Sequence, residues 1–119
     1  MEINDKFGDL FYHSGDASLI LNLLYDIAEH LGHSQEEPIS LHFVCLYLGM
    51  SIDACDQIYE EIFHIFKNED KEKLSDYKYV KKIMVKYFPD AKKFDELSVK
   101  AYLKGVAKSR LPELITLIE

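Results

Sequence analysis

A chain of 119 residues, 48% hydrophobic and with eight tyrosines and seven phenylalanines, can bury a core of its own as one domain, which excludes an unfolded polymer. Its net charge of −7 tells against general polyanion binding, and two cysteines are too few for a disulfide scaffold. The longest apolar run, Phe43 to Leu48, is too short to span a bilayer, and the charged opening MEINDKFGDLF lacks the apolar segment of a signal peptide, so a cytoplasmic, membrane-free protein is expected.

In chain order, Ile3 to Phe11 carries a trace of alternation but is too polar for a strand. The first helix is expected from about Asp16 to Leu31, with Ile20, Leu23, Leu24, Ile27 and Leu31 at helical spacing. Asp16 suits its N-cap, and Gly32 suits the left-handed position after its end. Pro38 is expected to open the second helix, whose apolar face is Leu41, Val44, Cys45 and Leu48 and which Gly49 ends. Ser51 caps a third helix to about Phe66, with Cys55, Ile58, Tyr59, Ile62 and Phe66 in its stripe.

KNEDKEK, residues 67–73, has no apolar residue and is expected to be an exposed connection with some helix. A fourth helix starts at Ser75 or Asp76, turns Val80, Ile83, Met84 and Tyr87 inward, and stops at Pro89. A fifth runs from Asp90 or Phe94 to Val106, and a last one from Pro112 to Glu119. These segments predict an all-α fold, one compact domain of five to seven short helices over residues 1–119. The expected core includes Leu23, Leu24, Ile27, Val44, Leu48, Ile58, Ile62, Val80, Ile83, Leu103 and Ile115.

The stretch VCLYLGMSIDACDQIYEEI, residues 44–62, resembles the helix-turn-helix of small DNA-binding proteins. Leu48, Gly49, Met50 and Ser51 form the turn, and Val44, Cys45, Ile58 and Ile62 hold the packing positions. The resemblance implies two helices crossing over a tight turn, the second reading DNA. Here that helix turns Asp53, Asp56, Gln57, Glu60, Glu61 and His64 outward. It carries no Lys or Arg before Lys67, and phosphate binding needs such cations, so nucleic acid is not the expected partner of this face.

Charge is distributed unevenly. Residues 1–61 hold twelve acids and one base, a net of −11, whereas residues 62–119 hold thirteen bases and nine acids, a net of +4. The halves can neutralise one another within the fold or across a homodimer, acidic half on basic half. An acidic face can also steer a cationic partner. In size and charge the chain is similar to small acidic bacterial toxin-immunity proteins, though it matches no residue motif of theirs. That similarity implies a non-catalytic module capturing a basic protein, such as a nuclease toxin. Asp53, Asp56, Glu60 and Glu61 lie on one side of the third helix as the expected contacts, with Tyr59 as an aromatic anchor.

Lys78, Lys81, Lys82 and Lys86 form an opposing stripe on the fourth helix, the better candidate for any phosphate. His30 and His33 beside Glu29, with His42 further on, have metal-ligand chemistry, but Gly32 breaks their helical spacing and no HExxH occurs, so no metal is expected. Cys45 and Cys55 fall on core-facing stripes and read as small buried hydrophobes. No Walker, GxGxxG or GxSxG motif is present, and neither an enzyme nor a cofactor is expected.

Overall fold

The computed structural model describes residues 17–34, 36–68 and 70–118, and the chain divides after His33 into two units. Among the described residues there are six α-helices and three short 3-10 segments, and no strand. The fold is all-α, as the periodicity predicts.

In the first unit, α1 is Ala17–His30. Its end is built as the sequence indicates: Gly32 has φ +90°, and the His33 amide donates to the Ala28 carbonyl at 2.9 Å, closing the last turn. The expected inward face is only partly buried. Leu23 and Ile27, both expected in the core, are each 49% exposed, and Leu31 of the same stripe is 65% exposed, whereas Ile20 and Leu24 are half-buried. Apolar residues occur all round this helix, with Leu19, Leu21 and Tyr25 exposed as well, so helical spacing does not single out one buried side. The Asp16 cap and the segment Ile3 to Phe11 lie outside the described residues.

The second unit starts at Ser34. Its helices are α2 (Leu41–Tyr47), α3 (Ile52–Lys67), α4 (Tyr77–Tyr87), α5 (Glu96–Ser109) and α6 (Ile115–Ile118). The 3-10 segments Lys71–Ser75, Pro89–Lys93 and Pro112–Leu114 connect them. Among the described residues, three of the four longest helices begin at a side-chain cap: Ser51 accepts from the Ala54 amide, Asp76 from Lys78 and Asp95 from Ser98. The start of α2 differs from the expectation. Pro38 is buried ahead of the helix, and Ser40, extended at φ −164° and ψ 162°, caps it by accepting from the Phe43 amide. A hydroxyl able to satisfy an orphan amide fixed the boundary there, two residues past the proline.

Helix α5 runs through the middle of this unit, with Val99, Ala101, Tyr102, Leu103, Gly105, Val106 and Ala107 all buried. Around it, Leu41, Val44, Ile58, Ile62, Leu74, Val80, Met84 and Leu114 are fully excluded from solvent. Each large aliphatic side chain so buried contributes about 1.5–3 kcal/mol of transfer free energy. Of the expected core, Val44, Ile58, Ile62, Val80, Ile83 and Leu103 are buried, while Leu48 and Ile115 are half-buried against it.

Helices α2 and α5 approach closely because α5 has no side chain at Gly105: a Cβ there would lie 2.9 Å from the Leu41 Cα. One turn on, the Ser109 hydroxyl accepts from the Leu41 amide at 3.0 Å, satisfying an N-terminal donor of α2 that no helical carbonyl can reach. The Lys104 ammonium donates to the Glu36 carbonyl at 2.8 Å, so α5 also holds the segment leading into α2.

Candidate functional site

Residues 44–62 fold as the end of α2, a four-residue connection and the first two-thirds of α3. Gly49 makes the turn at φ +78°, a conformation that costs an L side chain about 1 kcal/mol or more, and the Met50 amide returns to the Cys45 carbonyl at 2.9 Å. Ser51 then starts α3, and Ala54, Cys55, Ile58 and Ile62 turn inward. That register leaves Asp53, Gln57, Glu60 and His64 exposed on the far side.

The four carboxylates on which a docking face was expected fall into two kinds. Asp53 and Glu60 are exposed and make no close ion pair among the described residues. Asp53 also sits in the first turn of α3, where the helix dipole favours a negative charge. Glu61 is held from two directions: the Lys86 ammonium donates to Oε1 at 2.8 Å and the Tyr87 hydroxyl to the same atom at 2.7 Å. The bond from Lys86 is the main reason that the Glu61 carboxyl lies below its ordinary pKa of 4.5, partial burial opposing it and the Tyr87 bond assisting. The same contacts raise the Lys86 ammonium.

Asp56 is paired with Arg110 from the end of α5, Oδ1 to Nη2, at 3.0 Å. Arg110 is the only arginine in the chain, and three groups converge on it. Besides Asp56, the His42 Nε2 lies 3.3 Å from Nη2, and the guanidinium carbon stands 4.9 Å from the Tyr59 ring centroid. A guanidinium only donates, so the His42 ring nitrogen is the acceptor wherever the two bond. Tyr59, expected as an anchor, thus has one ring face covered by Arg110 and packs against the core. No motif or spacing in the sequence points to Arg110. Its one signal is that a chain with thirteen lysines uses arginine once, and a planar fork can stack and pair where an ammonium cannot.

Gln57, Glu60, Glu61, His64 and Tyr87 line a shallow concavity of about 260 Å³ beside this face. On α4 and the 3-10 segment after it, Tyr77, Lys78, Lys81, Lys82, Val85 and Lys92 line another of about 410 Å³. Among the described residues none of those four lysines is in a close ion pair. Lys86, expected in the same stripe, belongs instead to Glu61.

Beneath the face, the Sγ atoms of Cys45 and Cys55 are 2.7 Å apart, Cys45 donating. That bond, with burial, raises the Cys45 thiol, whereas accepting it lowers Cys55, an effect the Arg110 charge assists. The buried Tyr102 hydroxyl donates to the Cys55 carbonyl at 2.9 Å, and desolvation pushes this phenol well above its usual range.

Among the described residues no group of three or more His, Cys, Asp and Glu side chains is placed to hold a metal ion, and no helix is long and apolar enough to cross a membrane. No protein-family model, curated protein or solved structure significantly matches the chain.

Proposed function

We propose that this protein is a non-catalytic, cytoplasmic binding module that captures a basic protein through the outer face of α3, in the manner of an immunity or antitoxin-type inhibitor of a nuclease toxin. The observation that carries the reading is that Asp53 and Glu60 stand outward without a close ion pair, seven residues and about two turns apart on a rigid helix. Asp56, its side chain 47% exposed despite Arg110, lies between them and extends the negative strip. Glu61 contributes less, because its charge is already opposed by Lys86. Tyr59 acts as a support for Arg110 rather than as an anchor. Exposed carboxylates in a row raise the association rate of a cationic partner, and the Gln57–His64 concavity offers room for one of its side chains.

Charge reversal tests this. Asp53→Lys/Glu60→Lys is expected to abolish salt-sensitive capture of a basic partner, beginning with the product of any neighbouring toxin-like gene, while Lys78→Glu/Lys81→Glu leaves it intact. Equal capture by both variants at low salt would remove the α3 face from consideration.

A second reading rests on the lysines of α4 and of the 3-10 segment after it, which make no close ion pair among the described residues. A helix-turn-helix-type regulator touching nucleic acid would use Lys78, Lys81, Lys82 and Lys92 rather than α3. It predicts a shift of random duplex at low salt that Lys78→Glu/Lys81→Glu removes.

A further inference from the structure

Cys45 and Cys55 are the only cysteines in the chain, and both are buried with no covalent bond between their sulfurs. They stand on either side of the Gly49 turn, Cys45 in the seven-residue α2 and Cys55 in the first turns of α3. Their sulfurs are 2.7 Å apart. Buried side chains that merely pack come within about 4 Å of one another. A covalent S–S bond measures about 2.05 Å, so bonding requires a closure of only ~0.65 Å. The backbone carrying Cys55 is fixed from the other side by the Tyr102 hydroxyl on its carbonyl. The two sulfurs therefore face each other as a preformed pair.

We propose that Cys45 and Cys55 form a reversible intramolecular disulfide, with hydrogen peroxide as oxidant and a small dithiol as reductant. One sulfur attacks the peroxide: an S–O bond forms as the O–O bond breaks, giving a sulfenic acid and one water. The other sulfur then attacks the first, the S–S bond forms as the S–O bond breaks, and a second water leaves. Two thiols lose two protons and two electrons, and the peroxide takes up both. A dithiol reverses this by two thiol–disulfide exchanges, ending as a cyclic disulfide itself.

Cys45 is 4% exposed and Cys55 fully buried, so oxidation proceeds through the local opening that a helix as short as α2 undergoes. The bond ties α2 to α3 across their turn and fixes the frame that carries Asp53 and Glu60. The inference does not rest on the proposed capture of a basic protein, and its test involves no partner.

The test uses the full chain, reduced and desalted, then exposed to hydrogen peroxide and alkylated under denaturing conditions. The expected product has lost two hydrogen masses, has no alkylated cysteine and gives one peptide pair linked through Cys45 and Cys55. Dithiothreitol should restore both thiols. Closing this short loop should also raise the melting temperature by roughly 5–15 °C. Two alkylatable thiols after a dose that oxidises free dithiothreitol would overturn the proposal and leave the pair as core packing. So would oxygen addition without a linked peptide, or a linkage only between chains. Cys45→Ser and Cys55→Ser should each lose the peroxide-dependent rise in melting temperature, and its persistence in either would also refute the site. Should either variant fail to fold, the mass measurement on the unaltered chain decides alone.

Discussion

Glu61 shows how one carboxylate can be removed from a surface without being buried. Its Oε1 receives both the Lys86 ammonium and the Tyr87 hydroxyl, and its pKa is lowered in consequence. A carboxyl held below its unfolded value contributes stability above that value and loses it as the pH falls through the folded value, because the unfolded chain then binds the extra proton. Its contribution is therefore complete above about pH 4.5 and fades with further acidification. Glu61→Gln should be less stable than the unaltered protein at neutral pH, and the gap between them should narrow as the pH drops below 4.5. Paired denaturation curves between pH 7 and pH 3 check this, and a gap that stays constant would show that Lys86 and Tyr87 do not distinguish the charged form. Asp56 presents a different case at the same scale. Its nearest cation lies 54 positions away in the chain, and no spacing rule connects an acid in the first half of the sequence to an arginine after α5.

Among the elements, α5 decides where α2 goes. Its helical period indicates Val99, Tyr102, Leu103 and Val106 as core, and they are. On propensity grounds alone Gly105 is a defect, since alanine is favoured there by about 1 kcal/mol in a helix interior. The fold uses the missing Cβ, because the Leu41 backbone occupies the space it would need. Overpacking costs about 1–3 kcal/mol, which exceeds the propensity gain, so Gly105→Ala should destabilise the protein by up to about 2 kcal/mol. An unchanged or raised urea midpoint would mean that α2 and α5 separate freely. The start of α3 is simpler. Ser51→Ala removes the acceptor for the Ala54 amide and should cost about 1 kcal/mol, read from the same urea midpoint, whereas Ser51→Asp should retain most of it. Both the Ser51 cap and the Gly49 turn are legible in the sequence because each depends on chemistry within four residues. The start of α2 lies at Ser40 and not at Pro38: two start signals stand close together in the sequence, and only the extended backbone at Ser40 shows which one acts.

For the whole molecule, the charge imbalance is concentrated more narrowly than the two halves of the sequence imply. Residues 1–33 carry six acids and one base, a net of −5, and residues 34–119 carry fifteen acids and thirteen bases, a net of −2. Within the second unit, bases from the C-terminal half already meet Asp56 and Glu61. A homodimer that joins acidic half to basic half would have to compete with those internal pairs. The mass in solution is therefore expected to be that of a 13.9 kDa monomer, and to stay so as salt is lowered. Light scattering across a salt series checks this, and a dimer that dissociates on adding salt would restore the head-to-tail assembly.

The sequence by itself determined the all-α class, the Gly32 and Gly49 turns, the Ser51 cap and most of the buried positions from Val44 to Leu103. All of these follow from side-chain chemistry acting over one or two helical turns, where the chain path is known in advance. Tertiary structure decided the rest: that Leu23 and Ile27 stay exposed, that Arg110 rather than a lysine engages Asp56 and Tyr59, and that two core cysteines face each other. Periodicity states which side of a helix is apolar or charged. What that side meets depends on how separate helices dock, and at Gly105 the docking turns on the absence of a single carbon atom.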